Sequence, residues 1–243
     1  MTMHSVRPVT VVFLMLVVLG FIGFVSALAP GTIPNVDGVL FPNPTKITNP
    51  YLPLKPGTEY TYAGTSDGVP ETSIVTVTHD TRIILGVTTV VVRDKVYQDG
   101  DLVEDTFDWY AQDSNGNVWY FGEDSTELEN GKVLGHEGSW KAGVKGARPG
   151  IVMEASPQVW DMYNQENAFP DALDMAQVMS LTESVTVPYK SFAGNVLMTQ
   201  DFTPLEPGVI EHKFYAPDIG LVKDVLFRGG TGVSQLISIK TGL

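Results

Sequence analysis

The chain has 243 residues, a formal net charge of −13, 43% hydrophobic and 18% charged residues, and no cysteine. This composition is typical of a globular protein, and the acidic balance argues against a nucleic-acid partner, because an acidic surface repels phosphate. The lack of cysteine excludes disulfides and thiolate metal sites, so an exported form must be held together by core burial alone. We therefore favour a prokaryotic cell envelope over a eukaryotic secretory route.

An uncharged apolar run, VTVVFLMLVVLGFIGFV, occupies residues 9–25 and follows the basic Arg7. Ser26 and Ala27 fit a signal-peptidase site, so residues 1–27 are predicted to form a signal peptide that is cleaved after Ala27. The run nearly reaches the length that spans a bilayer, and an uncleaved N-terminal anchor is the alternative. Either route makes the protein extracytoplasmic, secreted or bound to the cell envelope, with membrane contact only through this segment.

Proline and asparagine are frequent over residues 28–56, as in PGTIPNV, FPNPTKITNP and YLPLKP. Because proline fixes φ and lacks an amide hydrogen, we expect an extended linker that ends in an edge strand near Tyr51–Leu54. Residues 57–243 are predicted to form a single antiparallel β domain.

Beyond Gly57, apolar and polar residues alternate with a period of two, which is typical of strands. Turn dipeptides separate these stretches: Asp67-Gly68, Asp99-Gly100, Asn115-Gly116, Asn130-Gly131 and Gly229-Gly230. The pattern predicts an all-β fold, a mainly antiparallel meander in a strongly curved sheet (half-barrel or barrel) with at most one or two short helices. Pro170–Leu181 is either a helix or a strand with a loop. The predicted strands are Thr58–Gly64, Thr72–His79, Arg82–Leu85, Thr88–Gln98, Asp101–Gln112, Asn117–Gly122, Lys132–His136, Ile151–Ala155, Ser184–Pro188, Val196–Thr203, Val209–Ala216, Gly220–Phe227 and Val233–Lys240.

The Asp99-Gly100 turn and the Asn115-Gly116 turn fix a register if each is a two-residue loop. Asp108 then lies opposite Glu123, and Lys95 lies opposite Glu104. Alternation assigns to the core face Val90, Val92, Val96, Val103, Phe107, Trp109, Ala111, Val118 and Tyr120. The opposite face carries Arg93, Lys95, Glu104, Thr106, Asp108, Tyr110, Trp119, Phe121 and Glu123.

Four segments carry a family resemblance: ITNPYLPLKPGTEYTYAG, DTFDWYAQDSNGNVWYFGED, EGSWKAGVKGARPGIVM and LEPGVIEHKFYAP. Together they resemble a widespread family of secreted prokaryotic proteins of unassigned function, over nearly everything after Ile47. The resemblance implies an exported, β-rich protein with no agreed activity. The long meander also resembles, more loosely, the half-barrel fold of lipoprotein carriers, a likeness that implies no function.

Asp108 and Glu123 are candidates for catalysis, because like charges across a strand pair repel unless a cation, a shared proton or solvent relieves them. They form either an acid/base or cation-binding pair, or part of a solvated face on which Arg93 reaches Asp108. Glu211 and His212 are the other catalytic candidates, although His212 between apolar neighbours is equally explained as a core residue. The sequence has no HExxH, GxSxG, SxxK or glycine-rich phosphate motif.

Tyr110, Trp119, Phe121 and Tyr215 are the predicted ligand-binding residues, as an aromatic surface for an apolar or glycan ligand. His136 and Glu137 could join His212 and His79 in a divalent-cation site, although their spacing does not require one. No other cofactor is predicted.

The segment 113–117 superficially resembles a calcium loop, but the required glycine and glutamate positions are not filled. A hairpin connection explains it better.

The absence of catalytic motifs and the aromatic face together favour a non-enzymatic extracytoplasmic binding or cell-envelope protein, with an apolar or aromatic groove for a lipid-like or glycan ligand. One alternative is a hydrolase or metal-dependent enzyme whose clustered carboxylates and His212 share a pocket. Another is a structural surface-layer or filament subunit, for which an unpaired apolar edge strand would be the indication.

Overall fold

The computed structural model describes residues 36–243, so the predicted signal peptide or anchor at residues 1–27 lies outside the described residues. The described part of the chain contains no helix, and its strands form a nearly closed, barrel-shaped antiparallel sheet, which confirms the predicted fold class. The strands are β1 Thr58–Ser66, β2 Val69–Ile84, β3 Val87–Gln98, β4 Asp101–Gln112, β5 Val118–Glu129, β6 Lys132–Gly135, β7 Trp140–Lys141, β8 Arg148–Met153, β9 Met162–Asn164, β10 Glu166–Asn167, β11 Met175–Thr186, β12 Ser191–Phe202, β13 Ile210–Ala216, β14 Gly220–Arg228 and β15 Gly232–Thr241.

Most neighbours in the sheet are also neighbours in sequence, as expected for strands joined by short turns. The strand order is β10-β8-β5-β4-β3-β2-β1-β15-β14-β13-β12-β11-β9, with β6 and β7 pairing with β5. The pairing of β1 with β15 joins the two halves of the sheet. Pro170–Leu181 contains a turn followed by the start of β11, so the strand-with-loop alternative is correct and the helix is wrong.

A short segment of chain connects the two edge strands of the sheet. β10 and β9 are the terminal strands, and only Gln165 separates them in sequence. The amides of Gln165 and Glu166 both donate to the carbonyl of Asp174, at 2.8 and 3.1 Å. Gly150 of β8 approaches this seam so closely that a Cβ there would lie 2.2 Å from the Gln165 carbonyl oxygen. Closure of the sheet therefore requires a glycine at position 150.

Three of the predicted turns, Asp67-Gly68, Asp99-Gly100 and Asn130-Gly131, are two-residue hairpin loops, as expected. Both residues of each loop have positive φ, which Asp, Asn and Gly adopt more readily than other residues. Leu85-Gly86 forms a further loop of this kind. Leucine carries no turn preference, so the sequence did not indicate this loop, although it did predict a strand at Arg82–Leu85.

The reversal at Asn115-Gly116 is wider than predicted and takes the five residues 113–117. The carboxylate of Asp113 accepts hydrogen bonds from the amides of Asn115 and Asn117, at 2.8 and 2.9 Å, and from the indole of Trp119 at 2.9 Å. An aspartate that binds amides two and four residues ahead stabilises an open loop. The segment is nevertheless a hairpin connection, as predicted.

The predicted register of β3 and β4 is wrong by one residue over most of the hairpin. The ladder starts as expected, but the extra residue Val103 forms a bulge after the first two pairs. Lys95 therefore lies opposite Asp105. Arg93 binds Asp105, with Nε 2.7 Å from Oδ1, and does not reach Asp108 as predicted.

This bulge inverts the predicted faces of β4, because a one-residue slip moves each following side chain to the other face. Phe107, predicted in the core, is 36% exposed. A second bulge, at Phe121–Gly122 of β5, places Asp108 opposite Glu123. The predicted acidic pair is therefore present, but it lies inside the sheet. The residues of β4 that point inward are Glu104, Thr106, Asp108 and Tyr110.

Residues 36–57 precede the first strand. Asn49 and Leu52 form only an isolated bridge, so the predicted edge strand at Tyr51–Leu54 is wrong. The Asn49 side chain holds this segment on the barrel by donating to the carbonyls of Gly116 and Glu154, at 3.0 and 2.9 Å.

The main hydrophobic core lies inside the curved sheet and takes side chains from both halves. Val77, Val90 and Val96 come from β2 and β3, and Leu197 and Leu236 come from β12 and β15. Each such burial contributes about 1.5–3 kcal/mol to folding. Several polar and charged side chains are also buried inside the sheet, next to this core, and they define the candidate site.

Candidate functional site

A cavity of about 110 Å³ lies inside the sheet, against β1–β4 and β14. Part of its wall is apolar, with Leu54, Val92, Val96, Ile219 and Leu221. Among the described residues, no lysine, arginine or histidine lines it. The acidic residues that line it are Glu71, Asp94, Asp108 and Asp224.

Tyr60 and Tyr62 of β1 and Tyr110 of β4 supply the aromatic part of the wall. The hydroxyl of Tyr60 donates to the Pro53 carbonyl at 3.1 Å, and that of Tyr62 donates to the Leu221 carbonyl at 3.0 Å. These hydroxyls are used by the protein itself. Tyr60 and Tyr62 can therefore contact a ligand only through their rings.

Asp94 and Asp224 each keep one carboxylate oxygen without a hydrogen-bond partner. Both residues are only 3% exposed. Ser73 donates to Oδ1 of Asp94 at 2.6 Å, while Oδ2 of Asp94 and Oδ1 of Asp224 are unpartnered. A buried carboxylate oxygen without a donor carries a desolvation cost that nothing offsets. Both residues belong to the wall of the same small cavity.

Burial changes the protonation of Asp94. It raises the pKa of this carboxyl to about 6, and the hydrogen bond from Ser73 only partly opposes the effect, while the nearby carboxylate of Glu71 adds to it. Burial likewise raises the pKa of Asp224 well above its usual value, although Lys213 on the neighbouring strand acts in the opposite direction.

The Asp108–Glu123 pair is bridged by one hydroxyl. Tyr120 Oη lies 2.6 Å from Asp108 Oδ1 and 2.9 Å from Glu123 Oε2, and its ring stacks on Tyr110 at 4.8 Å between centroids. A phenol has one proton to donate, so both contacts are hydrogen bonds only when one of the carboxyls is protonated. Burial raises the pKa of Asp108 to about 7 and that of Glu123 well above its usual value, in agreement with this geometry.

The acidic interior extends to the seam of the sheet. Glu166 accepts a hydrogen bond from the Trp140 indole at 3.1 Å, and burial raises its pKa to about 7. Burial and the nearby Glu166 raise the pKa of Asp174 well above its usual value.

Lys213 lies among the acids of the other half of the barrel. Its Nζ is 3.2 Å from Asp201 Oδ2 and 3.4 Å from Glu211 Oε2. Burial alone lowers the pKa of Lys213, but the surrounding carboxylates outweigh it and hold the pKa well above its usual value. This lysine therefore stays charged and neutralises part of the buried acid.

The four predicted ligand-binding residues do not share one surface. Tyr110 and Tyr215 point into the barrel, whereas Trp119 and Phe121 lie on the opposite face of β5. Phe41 covers Trp119 and Phe121, and the centroid of its ring lies 6.1 Å from that of Trp119 and 5.9 Å from that of Phe121. The five-residue loop at 113–117 shifts the pairing of β4 with β5 by one residue, so Tyr110 lies opposite Tyr120 in place of Phe121 and the predicted groove is not formed.

The four catalytic candidates are also divided. Asp108, Glu123 and Glu211 are buried inside the sheet, whereas His212 points to the outer face and stacks on Phe227 at 4.3 Å. Burial lowers the pKa of His212, with Asp201 acting the other way. The structure therefore does not bring His212 and Asp108 together in one site.

The metal-site prediction is not supported either. His136 Nδ1 lies 2.8 Å from the Ser125 carbonyl oxygen, and His79 Nε2 lies 3.2 Å from that of Leu243. Within residues 36–243, no three His, Cys, Asp or Glu side chains are arranged to hold a metal ion. His136, Glu137 and His212 thus form no metal centre among the described residues.

Asp94, Asp224, Glu71 and Tyr62 are the site residues that sequence reasoning missed. Asp94 lies between Val92 and Val96, which the sequence assigns to the core face, so alternation also places Asp94 on that side of β3. The position of an acid at an inward-facing place in a regular strand was the signal that could have identified it.

No stretch of residues 36–243 forms a helix that could cross a membrane. No family model matches the chain, and no curated protein matches it. The family resemblance of the four sequence segments therefore stays a prediction.

Two solved structures are similar in fold. One, described as an exported protein with a YmcC-like fold, is from Bacteroides fragilis; it is 16% identical with a TM-score of 0.46, and the match covers 79% of this chain and 100% of that one. The other, described as a lipoprotein from Parabacteroides distasonis, is 12% identical with a TM-score of 0.42, covering 79% of this chain and 99% of that one. Likeness at this level concerns the fold alone and transfers no ligand, activity or location.

Proposed function

We propose that this chain is a non-enzymatic, extracytoplasmic binding protein that holds a small ligand, or the end group of a larger one, inside its barrel-shaped sheet. The observation that carries the proposal is the internal cavity, whose wall contains three tyrosines and two carboxylates with an unpartnered oxygen. The apolar run at residues 9–25 supports export.

The size of the cavity limits the ligand. At about 110 Å³ it is smaller than a cavity of about 150 Å³ that accommodates benzene in another protein. A lipid chain or a whole glycan exceeds this volume, so only an end group of either would enter. For the surface-layer alternative, the terminal strands β9 and β10 have only three and two residues and give no extended edge of their own.

Native mass spectrometry of gently purified protein, after exposure to lipid extracts, glycans and small metabolites, tests the proposal. Ser234→Leu adds volume inside the cavity, and Gln235→Leu makes the same kind of change on the opposite face of β15. We expect a bound species with the wild type and Gln235→Leu, and its loss with Ser234→Leu.

Circular dichroism verifies that both variants fold, and Ser234→Val provides a smaller filler if the leucine is not tolerated. An empty wild-type protein across all three panels, or equal binding by a folded Ser234 variant, would overturn the proposal.

A further inference from the structure

We propose that the ligand is a small organic cation, an ammonium group held beside Asp94 among the tyrosines of the cavity. The inference deepens the proposed function and rests on it. Three independent features of the wall carry it: the sign of its charges, the unpartnered carboxylate oxygens and the aromatic rings.

The charges of the wall are of one sign. Glu71, Asp94, Asp108 and Asp224 line the cavity, and no basic side chain of the described residues does. Lys213 lies opposite Asp224 on the neighbouring strand and forms ion pairs with Asp201 and Glu211, so it offsets part of the Asp224 charge from outside the wall. A cation entering the cavity thus meets Asp94 and Glu71 with no basic side chain in the wall to compete for them.

Asp94 is the best-defined point for the positive charge. Its Oδ2 is buried and has no donor, while its Oδ1 is fixed by Ser73 at 2.6 Å. An N–H donor or a polarised N–CH₃ group near Oδ2 would supply the missing partner. Among the described residues, the titratable groups around Asp94 inside the sheet are Glu71, Glu104, Asp108, Tyr62 and Tyr110, and none of them is a cation; Asp105 lies on the outer face, where it binds Arg93.

The tyrosines favour a cation over a neutral hydrogen-bond donor. Tyr60 and Tyr62 bind backbone carbonyls with their hydroxyls, so their rings are the surface they present. Aromatic rings attract ammonium groups through their quadrupole, most strongly where water is excluded. A neutral polyol, in contrast, would lack hydroxyl partners on this side of the cavity.

Titration calorimetry with methylammonium, ethanolamine and choline tests the inference, with dimethylbutanol as the uncharged carbon isostere of choline. We expect at least one cation to bind about tenfold or more tightly than the isostere, since a charge–carboxylate and cation–π contact is lost in the latter. Asp94→Asn should weaken cation binding by a similar factor, and Asp224→Asn by less, because Lys213 already offsets that carboxylate.

Asp124→Asn is the matched control, because it removes the same charge from the exposed face of β5 and should leave binding unchanged. Binding of none of the cations, or an affinity for the isostere equal to that for the tightest-binding cation, would overturn the inference. If cations fail while native mass spectrometry still finds another ligand that Ser234→Leu displaces, the proposed function stands and only its ligand class is wrong.

Discussion

Replacing Asp94 by asparagine should remove one defined contribution to the pH dependence of stability. In the unfolded chain this carboxyl titrates near its ordinary pKa of 3.8, whereas in the folded protein burial raises its pKa to about 6. Between these two values the folded state holds a proton that the unfolded state has released. Stability must therefore fall as pH rises through this window.

The magnitude follows from the difference of about two pKa units, at 1.36 kcal/mol for each unit. Ionisation of Asp94 thus removes about 3 kcal/mol of unfolding free energy between about pH 4 and pH 7. Asparagine has nearly the same shape, cannot ionise, and can still accept the hydrogen bond from Ser73. We expect Asp94→Asn to match the wild type at about pH 4 and to exceed it by about 2–3 kcal/mol at about pH 8.

Urea unfolding followed by tryptophan fluorescence, at a series of pH values, measures this difference. Asp124→Asn serves as the control, because this exposed carboxylate lies on the outer face of β5. The reasoning is refuted if the wild type becomes more stable from about pH 4 to pH 8. It is also refuted if Asp94→Asn keeps the full slope of the wild type.

Gly150→Ala is expected to destabilise the chain by about 2–4 kcal/mol in urea unfolding, because its methyl group would meet backbone at the seam. Gly232→Ala, where a Cβ makes only ordinary contacts from 3.4 Å, should cost much less. Lys213→Met should cost about 3–5 kcal/mol at neutral pH and less in acid, since it leaves buried carboxylates unpaired, whereas the exposed Lys240→Met should cost less than 1 kcal/mol. Phe41→Ala should cost about 2–3 kcal/mol and increase quenching of tryptophan fluorescence by added iodide, because it uncovers an indole. Stabilities equal to those of the controls, or unchanged quenching, would contradict these expectations.

The fold class could be predicted from the sequence because its two signals are local. Alternation with a period of two persists in the long strands, and Asp-Gly or Asn-Gly supplies the positive φ that a tight loop needs. Leu85-Gly86 makes the same turn with a residue that has no such preference, and only tertiary pairing of β2 and β3 enforces it.

The faces of the sheet could not be predicted because a single bulge changes them. Val103 carries no mark that distinguishes it from the valines that remain in register. The Asp108–Glu123 pair was nevertheless identified, since a wrong loop length at residues 113–117 and an unseen bulge at Phe121–Gly122 cancel in the count. Agreement on this pair therefore reflects compensation of two errors rather than a correct register.

The proposed cation site predicts that ionisation of Asp94 has opposite effects on the stability of the free protein and on the binding of a cation. Without a ligand, ionisation of Asp94 lowers stability, and apolar residues in its place would be expected to stabilise the fold. With a bound cation, the same ionisation strengthens the interaction, because the charged carboxylate is the better partner. Stabilisation by a cation should therefore grow over the pH range in which the free protein weakens. A purely structural role for these acids provides no reason for that reversal, and it is this contrast that separates a binding cavity from an imperfectly packed core.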